Sequence, residues 1–309
     1  PLYTFLLVAV SAMLLAGLGR TRHSIGVALA TGLLAGLAAV VRPGALLLPL
    51  LVPAWSVLHK VSWPRTVLTT LIVILTSLAV ISPWMVRNHA VTQPQYEISS
   101  NGGLVFWGGN HPDALGGVAR PEAVARDLAV GTPAYDGREG YRLGLASITS
   151  DLPAAMRRSV QKISYFLAIE TDGAMWNYKG LEDAGRGVVP VVLAGSTYIL
   201  AVAIALFALL RGVRNRAFGS WFLLLGAYSA AIVVAFEGDP RYHFPLIPFL
   251  LMYSALGLLE HIPARLKEFR AARPRLTIER ADIYWLIGMG LFLLLIVSNL
   301  YLKFLEGRL

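Results

Sequence analysis

The sequence contains no cysteine and few charged residues for its length. Among its 309 residues, 15% are charged and 56% are hydrophobic. Without cysteine, the chain can form no disulfide, iron–sulfur cluster or thiolate zinc site. Soluble domains contain about 25% charged residues. The shortage of charge and a mean hydropathy of +0.62 therefore indicate an integral membrane protein.

The charge that is present is mostly positive, with a formal net value of +9. A basic chain suggests nucleic acid as a partner, but the basic residues here cluster at the ends of apolar segments. Cationic clusters on one side of a bilayer are the ordinary signal of membrane topology. We therefore expect the lipid bilayer, and no nucleic acid, as a partner.

Apolar runs of about twenty residues predict membrane-spanning helices. We expect an all-α polytopic membrane protein with about eight transmembrane helices and one large loop domain between the fourth and the fifth. The third segment is short and interrupted by Pro49 and Pro53. The predicted spans are residues 2–18, 24–41, 45–58, 66–85, 188–210, 217–236, 244–259 and 283–302.

These segments divide the chain into three parts: a transmembrane segment at 1–87, a loop domain at 88–187 and a second transmembrane segment at 188–309. Alternating crossings bring most basic clusters to one side, which the positive-inside rule assigns to the cytoplasm. We therefore predict a multi-pass protein of the bacterial inner membrane whose loop 88–187 is extracytoplasmic. The clusters are Arg20 and Arg22, Lys60 and Arg65, Arg211, Arg214 and Arg216, and Arg265, Lys267, Arg270, Arg273, Arg275 and Arg280.

The start of this loop is rich in glycine and aromatic residues. Pro83 and the glycine pairs that follow it favour an irregular, closely approaching backbone over a continuing helix. Aromatic rings stack on the C–H face of a sugar, and amides bind its hydroxyls. The loop is thus either a sugar or acceptor contact or a structural turn. The candidate residues are Asn101, Gly102, Gly103, Trp107, Asn110 and His111.

Further along the loop, residues 121–130 and 140–150 are predicted short helices. Residues 159–169 are amphipathic but too short to span, with Lys162 inside the segment. We expect this segment to lie on the outer leaflet. No second histidine or acidic residue accompanies His111 at metal-ligand spacing, so we predict no metal site.

Charged residues also lie in the predicted outer turn 237–245. Arg241 could bind a phosphate bidentately, and the helix that follows adds a favourable dipole. The alternative is an ion pair between Asp239 and Arg241 that stabilises the turn. Arg42, at the end of the second predicted span, is either a snorkelling helix end or a cation for an anionic headgroup.

Three segments together resemble the bacterial membrane glycosyltransferases of the GT-C superfamily, the protein-mannosyltransferase and aminoarabinose-transferase-like enzymes. One is the helix-ending Arg-Pro and its leucine-rich continuation; another is the start of the large outer loop; the third is an Arg-Tyr-x-x-Pro turn. The matching segments are 41–49 (VRPGALLLP), 82–88 (SPWMVRN) with 98–104 (ISSNGGL) and 107–112 (WGGNHP), and 238–245 (GDPRYHFP).

The resemblance implies sugar transfer from a polyprenyl-phosphate-linked donor to a lipid, glycan or protein acceptor outside the cytoplasm, with no certain cofactor. It places the donor phosphate at Arg241, Tyr242, His243 and Arg42. The family's catalytic base is an acidic residue in the first outer loop, yet no Asp or Glu precedes Glu97. The expected Asp would thus lie upstream of Pro1, the catalytic residue is unknown, and the chain alone should be inactive.

Three other interpretations remain open. A transporter or flippase of a lipid-linked or anionic solute would use the same outer arginines, but is expected to show paired repeats and charges in mid-helix. A ligase-like transferase of the O-antigen type would depend on His111 or His243 and need no upstream Asp. The last alternative is a purely structural membrane subunit.

Overall fold

The computed structural model of the chain describes residues 1–18, 25–92, 98–99, 101–119, 121–130, 136–169, 188–212, 215–271 and 280–305. These residues form α-helices joined by turns and short 3-10 helices, and contain no strand. The all-α prediction is therefore confirmed for the described part of the chain. The basic residues Arg20, Arg22, Arg214, Arg273 and Arg275 lie outside it.

The α-helices lie close to the predicted apolar segments, with several further helices between them. Short 3-10 helices occur at Pro43–Ala45, Leu48–Leu50, Pro240–Tyr242 and Phe244–Leu246. The α-helices are α1 (Leu2–Leu18), α2 (Ile25–Val41), α3 (Leu51–Leu58), α4 (Trp63–Thr92), α5 (Gly102–Asn110), α6 (Pro121–Asp127), α7 (Gly137–Ser150), α8 (Leu152–Phe166), α9 (Val188–Arg211), α10 (Arg216–Ala235), α11 (Ile247–Ala271) and α12 (Arg280–Leu305).

Five segments in the described part are long and apolar enough to cross a bilayer, and they correspond to the fourth to eighth predicted spans. Three shorter apolar helical segments correspond to the first three predicted spans: Leu2–Gly17, Ile25–Val41 and Pro43–Leu58. The chain is therefore suited to a membrane, while eight crossings and an extracytoplasmic loop remain predictions. The five long segments are Trp63–Val91, Val192–Arg211, Arg216–Ala235, Pro240–His261 and Arg280–Leu302.

The residues divide into two compact units, each made of separate stretches of sequence. The first contains Pro1–Ala114, Val118–Ala155 and Arg216–Glu237. The second contains Leu115–Gly117, Met156–Asn215 and Gly238–Leu309. The loop residues therefore belong partly to one unit and partly to the other.

In the first unit, α2 packs closely on α4 through small residues. A Cβ at Gly32 would lie 2.8 Å from the Val73 carbonyl oxygen, and one at Gly36 would lie 2.9 Å from that of Ser77. The Ser77 hydroxyl donates to the Gly32 carbonyl at 3.0 Å. Small residues at such a seam let the two backbones approach, which is how helices associate in lipid.

The prediction that Pro83 and the glycine pairs break the helical backbone is wrong. α4 runs through Pro83 to Thr92, and the segment from Gly102 to Asn110 is the helix α5. A Cβ at Gly103 would overlap the carbonyl oxygen of Gly137, and one at Gly140 would overlap that of Gly103. The glycines therefore permit close packing of α5 on α7, and this packing outweighs their low helix propensity.

The helices α7 and α8 are consecutive, and each has an aspartate cap at its N-terminus. Asp136 accepts a hydrogen bond from the Arg138 backbone N–H at 2.9 Å, and Asp151 accepts one from that of Ala154 at 2.9 Å. Such caps satisfy backbone donors left over at a helix start. Asp151 thus separates α7 from α8, and α8 begins seven residues before the expected start of the amphipathic segment, at Leu152 rather than Ser159.

In the second unit, α9 packs against both α11 and α12. The Ser254 hydroxyl on α11 donates to the Ala201 carbonyl at 2.8 Å, and the Trp285 indole N–H on α12 donates to that of Ala203 at 2.9 Å. At the end of α9, Arg211 forms an ion pair with Asp282. These polar contacts fix the register of the three helices.

Candidate functional site

The helix α8 has an unusual distribution of side chains: two of its three charged residues are buried. Arg158 is 5% exposed and Lys162 is 1% exposed, one helical turn apart, and both take part in further interactions. Charged side chains are seldom fully buried unless they are paired, because burial removes their hydration. Two cations are therefore buried on one face of α8 in the second unit.

The turn that begins at Gly238 packs directly onto α8 at Lys162. The Gly238 backbone N–H donates to the Gly116 carbonyl at 2.9 Å, and a Cβ at Gly238 would lie 2.7 Å from the carbonyl oxygens of Gly116 and Lys162. A larger residue at this position would separate the turn from the helix. Only glycine lets the turn lie against the backbone of Lys162.

A second contact holds the turn four residues further along the helix. The His243 Nδ1 lies 2.6 Å from the Phe166 carbonyl oxygen, so Nδ1 carries a proton and donates to it. The His243 ring also stacks on Tyr198, with centroids 4.6 Å apart and planes at 5°. Of the residues predicted to bind phosphate, His243 is thus buried and holds the turn onto α8.

Arg241 lies on the outer side of this turn and is mostly exposed. Its Nε lies 3.1 Å from Asp239 Oδ2, and its backbone N–H donates to Asp239 Oδ1 at 2.8 Å. Its guanidinium lies 5.6 Å from the centroid of the Tyr242 ring. The ion pair that the sequence left as an alternative is therefore present, while a guanidinium with five donors can also bind an anion.

Arg42 belongs to the first unit, where it follows the last residue of α2. Its guanidinium lies 5.5 Å from the centroid of the Tyr3 ring, in the range of a cation–π contact. The residue is half-buried and its side chain has further interactions. The structure therefore shows Arg42 in contact with other residues of the first unit, Tyr3 among them.

The predicted sugar-contact residues also lie in the first unit, and burial separates them into two groups. Asn101 is exposed and Gly102 half-buried at the start of α5, whereas Gly103 is buried against α7. Asn110 is buried and its amide N–H groups donate to the carbonyls of Phe106 and Ala235, each at 2.9 Å. Within this set, Asn101 is the side chain most open to a solute.

Trp107 and His111 are buried around the carboxylate of Asp127, a residue that the sequence did not single out. The Trp107 indole N–H donates to Asp127 Oδ2 at 3.1 Å, and His111 Nε2 lies 3.2 Å from the same oxygen. His111 Nδ1 accepts the Asp113 backbone N–H at 3.1 Å, so Nε2 is the ring nitrogen that donates to Asp127. Asp127 is thus oriented by two donors and remains partly open to solvent.

No group of three or more histidine, aspartate or glutamate side chains suitable for a metal ion occurs in the described part of the chain. The polar groups described above form two clusters, one around Arg158 and Lys162 of α8 and one around the carboxylate of Asp127. The two clusters belong to different compact units.

No family model, curated protein or solved structure matches the chain.

Sequence reasoning did not single out the buried pair Arg158 and Lys162. A usable signal was present, since α8 carries basic residues at positions i and i+4 and apolar residues at Leu152, Met156 and Val160 on the opposite face. Such a pattern shows that the helix has two faces. It does not show which face is buried, because an amphipathic helix normally buries the apolar one.

Proposed function

We propose that the chain belongs to a membrane glycosyltransferase that moves a sugar from a polyprenyl-phosphate-linked donor to a lipid, glycan or protein acceptor on the extracytoplasmic side. The observation that supports this most is the buried pair Arg158 and Lys162 on α8, beneath the turn that carries Arg241. A phosphate joined to an apolar chain needs cations next to a membrane. The resemblance to the GT-C superfamily at 238–245 points in the same direction.

In the proposed reaction, the bond between the anomeric carbon and the phosphate oxygen breaks, and a bond from the acceptor oxygen to that carbon forms. A carboxylate takes the acceptor proton. The polyprenyl phosphate leaves with the electron pair of the broken bond, so negative charge grows on its oxygen. Positioned cations stabilise such developing charge in a site of low polarity.

Arg158 and Lys162 are suited to this role by their number of donors. An ammonium has three N–H donors and a guanidinium has five. Because Arg158 and Lys162 are buried, binding of a phosphate oxygen requires the turn over α8 to move aside. Hydrogen bonds between ionised partners are about twice as strong as neutral ones. The exposed Arg241 would bind the outer side of the same phosphate.

Binding of the phosphate can be tested with the purified chain in lipid nanodiscs. The probe is undecaprenyl phosphate, with undecaprenol as the neutral comparison, and binding is followed by native mass spectrometry. We expect Arg158→Gln and Lys162→Gln each to weaken phosphate binding by roughly 10–100-fold, the loss of one charge-assisted hydrogen bond. Undecaprenol binding should not change.

Arg157→Gln is the matched control, because Arg157 is exposed on the same helix and the change in charge is identical. Lys162→Arg, which keeps the charge, reports whether a loss reflects charge or folding, together with thermal stability in detergent. Equal effects of Arg157→Gln and Arg158→Gln, in proteins that remain folded, would contradict the proposed phosphate site.

Sugar transfer is tested separately, by introducing the same substitutions into the chromosomal gene and measuring lipid-linked sugars in membrane extracts. A transferase predicts that Lys162→Gln cells accumulate the glycosylated polyprenyl phosphate and lose its free form. If a labelled polyprenyl-phosphate sugar instead changes leaflet in proteoliposomes without being cleaved, the protein is a flippase and the proposed transfer is overturned.

A further inference from the structure

We infer that α8 lies on the surface of the membrane, on the side of the loop domain 88–187. A stripe of three apolar side chains of α8 is inserted among the lipids. We call Leu152, Met156 and Val160 the apolar stripe. They are 59%, 71% and 62% exposed, respectively, and follow each other at intervals of four residues on one continuous helix. This inference is independent of the proposed sugar transfer.

The apolar stripe is a continuous surface. Residues four apart are neighbours on a helix, and the eight steps from Leu152 to Val160 advance the axis by about 12 Å. Single exposed apolar residues are common on soluble proteins, whereas contiguous apolar surfaces mark places where a partner binds. The stripe therefore needs a partner of matching apolar character.

The opposite face of α8 is the one that packs in the protein, so the stripe is not needed for the core. That face is already packed, with Arg158, Lys162 and Tyr165 all buried. The helix thus directs Arg158 and Lys162 into the protein and the apolar stripe outward, and it leaves Arg157 exposed, whereas a helix on a soluble protein normally buries its apolar face. An outward apolar face is expected where the surroundings are lipid.

The end of α8 is fixed to a segment suited to crossing the bilayer, and this identifies the partner. The Phe166 carbonyl accepts the hydrogen bond from His243, near the start of the candidate span Pro240–His261. Phe244, the next residue of that span, is exposed and apolar. Because α8 ends where a candidate membrane segment begins, its apolar stripe lies at the boundary of the same bilayer.

This arrangement has a consequence for the buried cations. A helix lying in the interface inserts its apolar face about 5–10 Å into the boundary between headgroups and acyl chains. Arg158 and Lys162, on the other side of the same helix, would then lie close to the level of the lipid phosphates.

The absence of cysteine from the chain makes a direct test possible. Single cysteines replace Leu152, Met156 and Val160 in turn, and the spin-labelled full chain is placed in liposomes of phosphatidylethanolamine and phosphatidylglycerol. Thr149→Cys, at an exposed position one turn before α8, is the control. Power-saturation EPR then measures collision of each label with oxygen, which concentrates in lipid, and with a water-soluble nickel chelate.

We expect labels at the three stripe positions to collide more with oxygen and several-fold less with the chelate than the label at Thr149. Equal accessibility at all four positions would overturn the inference, because the stripe would then lie in water. Low collision with both reagents would also overturn it by showing a protein cover. In that case, disulfide-linked dimers of Met156→Cys would identify a second copy as the partner.

Discussion

At the scale of single residues, burial decides what each polar side chain can do. Asn101 and Asn110 are both amides predicted to contact a sugar, yet Asn101 is exposed and Asn110 is committed to two backbone carbonyls. Arg241 and His243 differ in the same way within one turn. The exposed member of each pair is suited to binding, and the buried member holds the structure that positions it.

The glycines show the same dependence on place, and Gly103 provides the test. In Gly103→Ala, the new Cβ would overlap the backbone carbonyl of Gly137, which no side-chain rotation can relieve. We expect a loss of about 1–3 kcal/mol in stability, the usual cost of overpacking. Thermal unfolding in detergent, followed by tryptophan fluorescence, measures it.

Gly226→Ala is the control for this substitution. Nothing lies within 4 Å of a Cβ at Gly226 in α10, so the change should be neutral or stabilising by up to about 1 kcal/mol. If both alanines behave alike, close packing of α5 on α7 is not the reason for glycine at position 103.

At the scale of the helix, α4 shows how a proline is accommodated inside an apolar segment. Pro83 has no N–H to donate to the carbonyl of Ala79, four residues earlier. The Ser82 hydroxyl donates to that carbonyl at 3.1 Å. A bilayer offers no water to satisfy such a group, and a neighbouring hydroxyl is one way of replacing the lost bond.

The contribution of Ser82 should therefore depend on Pro83. We expect Ser82→Ala to destabilise the protein by about 1 kcal/mol, the net value of one hydrogen bond. In the Pro83→Ala background its effect should be markedly smaller, since the N–H of residue 83 then satisfies Ala79. Thermal unfolding of both single variants and the double variant gives the coupling, and strictly additive effects would disprove it.

At the scale of the whole molecule, the number of crossings depends on the shorter helical segments. The segment Pro43–Leu58 consists of a 3-10 turn at Pro43–Ala45, another at Leu48–Leu50 and the eight-residue helix α3. Spanning helices usually contain about 17–25 residues, so this segment is at the lower limit. Whether this segment crosses the bilayer decides whether Arg42 and Lys60 lie on opposite sides of the membrane.

Cysteine labelling in intact cells checks the predicted topology. With eight crossings, Arg42→Cys and Thr149→Cys should react with a membrane-impermeant maleimide from outside, whereas Ser62→Cys and Arg216→Cys should react only after the membrane is opened. The positive-inside rule predicts this pattern. Reaction of Arg42→Cys and Ser62→Cys from the same side would show that the third segment does not cross.

Much of the fold is predictable because lipid imposes a simple rule on sequence. A backbone inside a bilayer must satisfy its own hydrogen bonds, so long apolar runs such as those within Trp63–Val91 and Arg280–Leu302 form helices wherever they occur. The composition, the all-helical class and the approximate helix positions therefore follow from the order of residues alone. The sequence also predicts the charged turn with Gly238 and Arg241, because it separates two apolar segments.

Only the tertiary structure decided which surfaces face inward. The glycines of α5 looked like breaks, and they are helical because α7 packs against them. On α8 the face with Arg158 and Lys162 is the buried one, and the turn at Gly238–His243 packs on that helix at Lys162 and Phe166. Both outcomes depend on segments distant in sequence, and periodicity reports that a helix has two faces without reporting what lies against each.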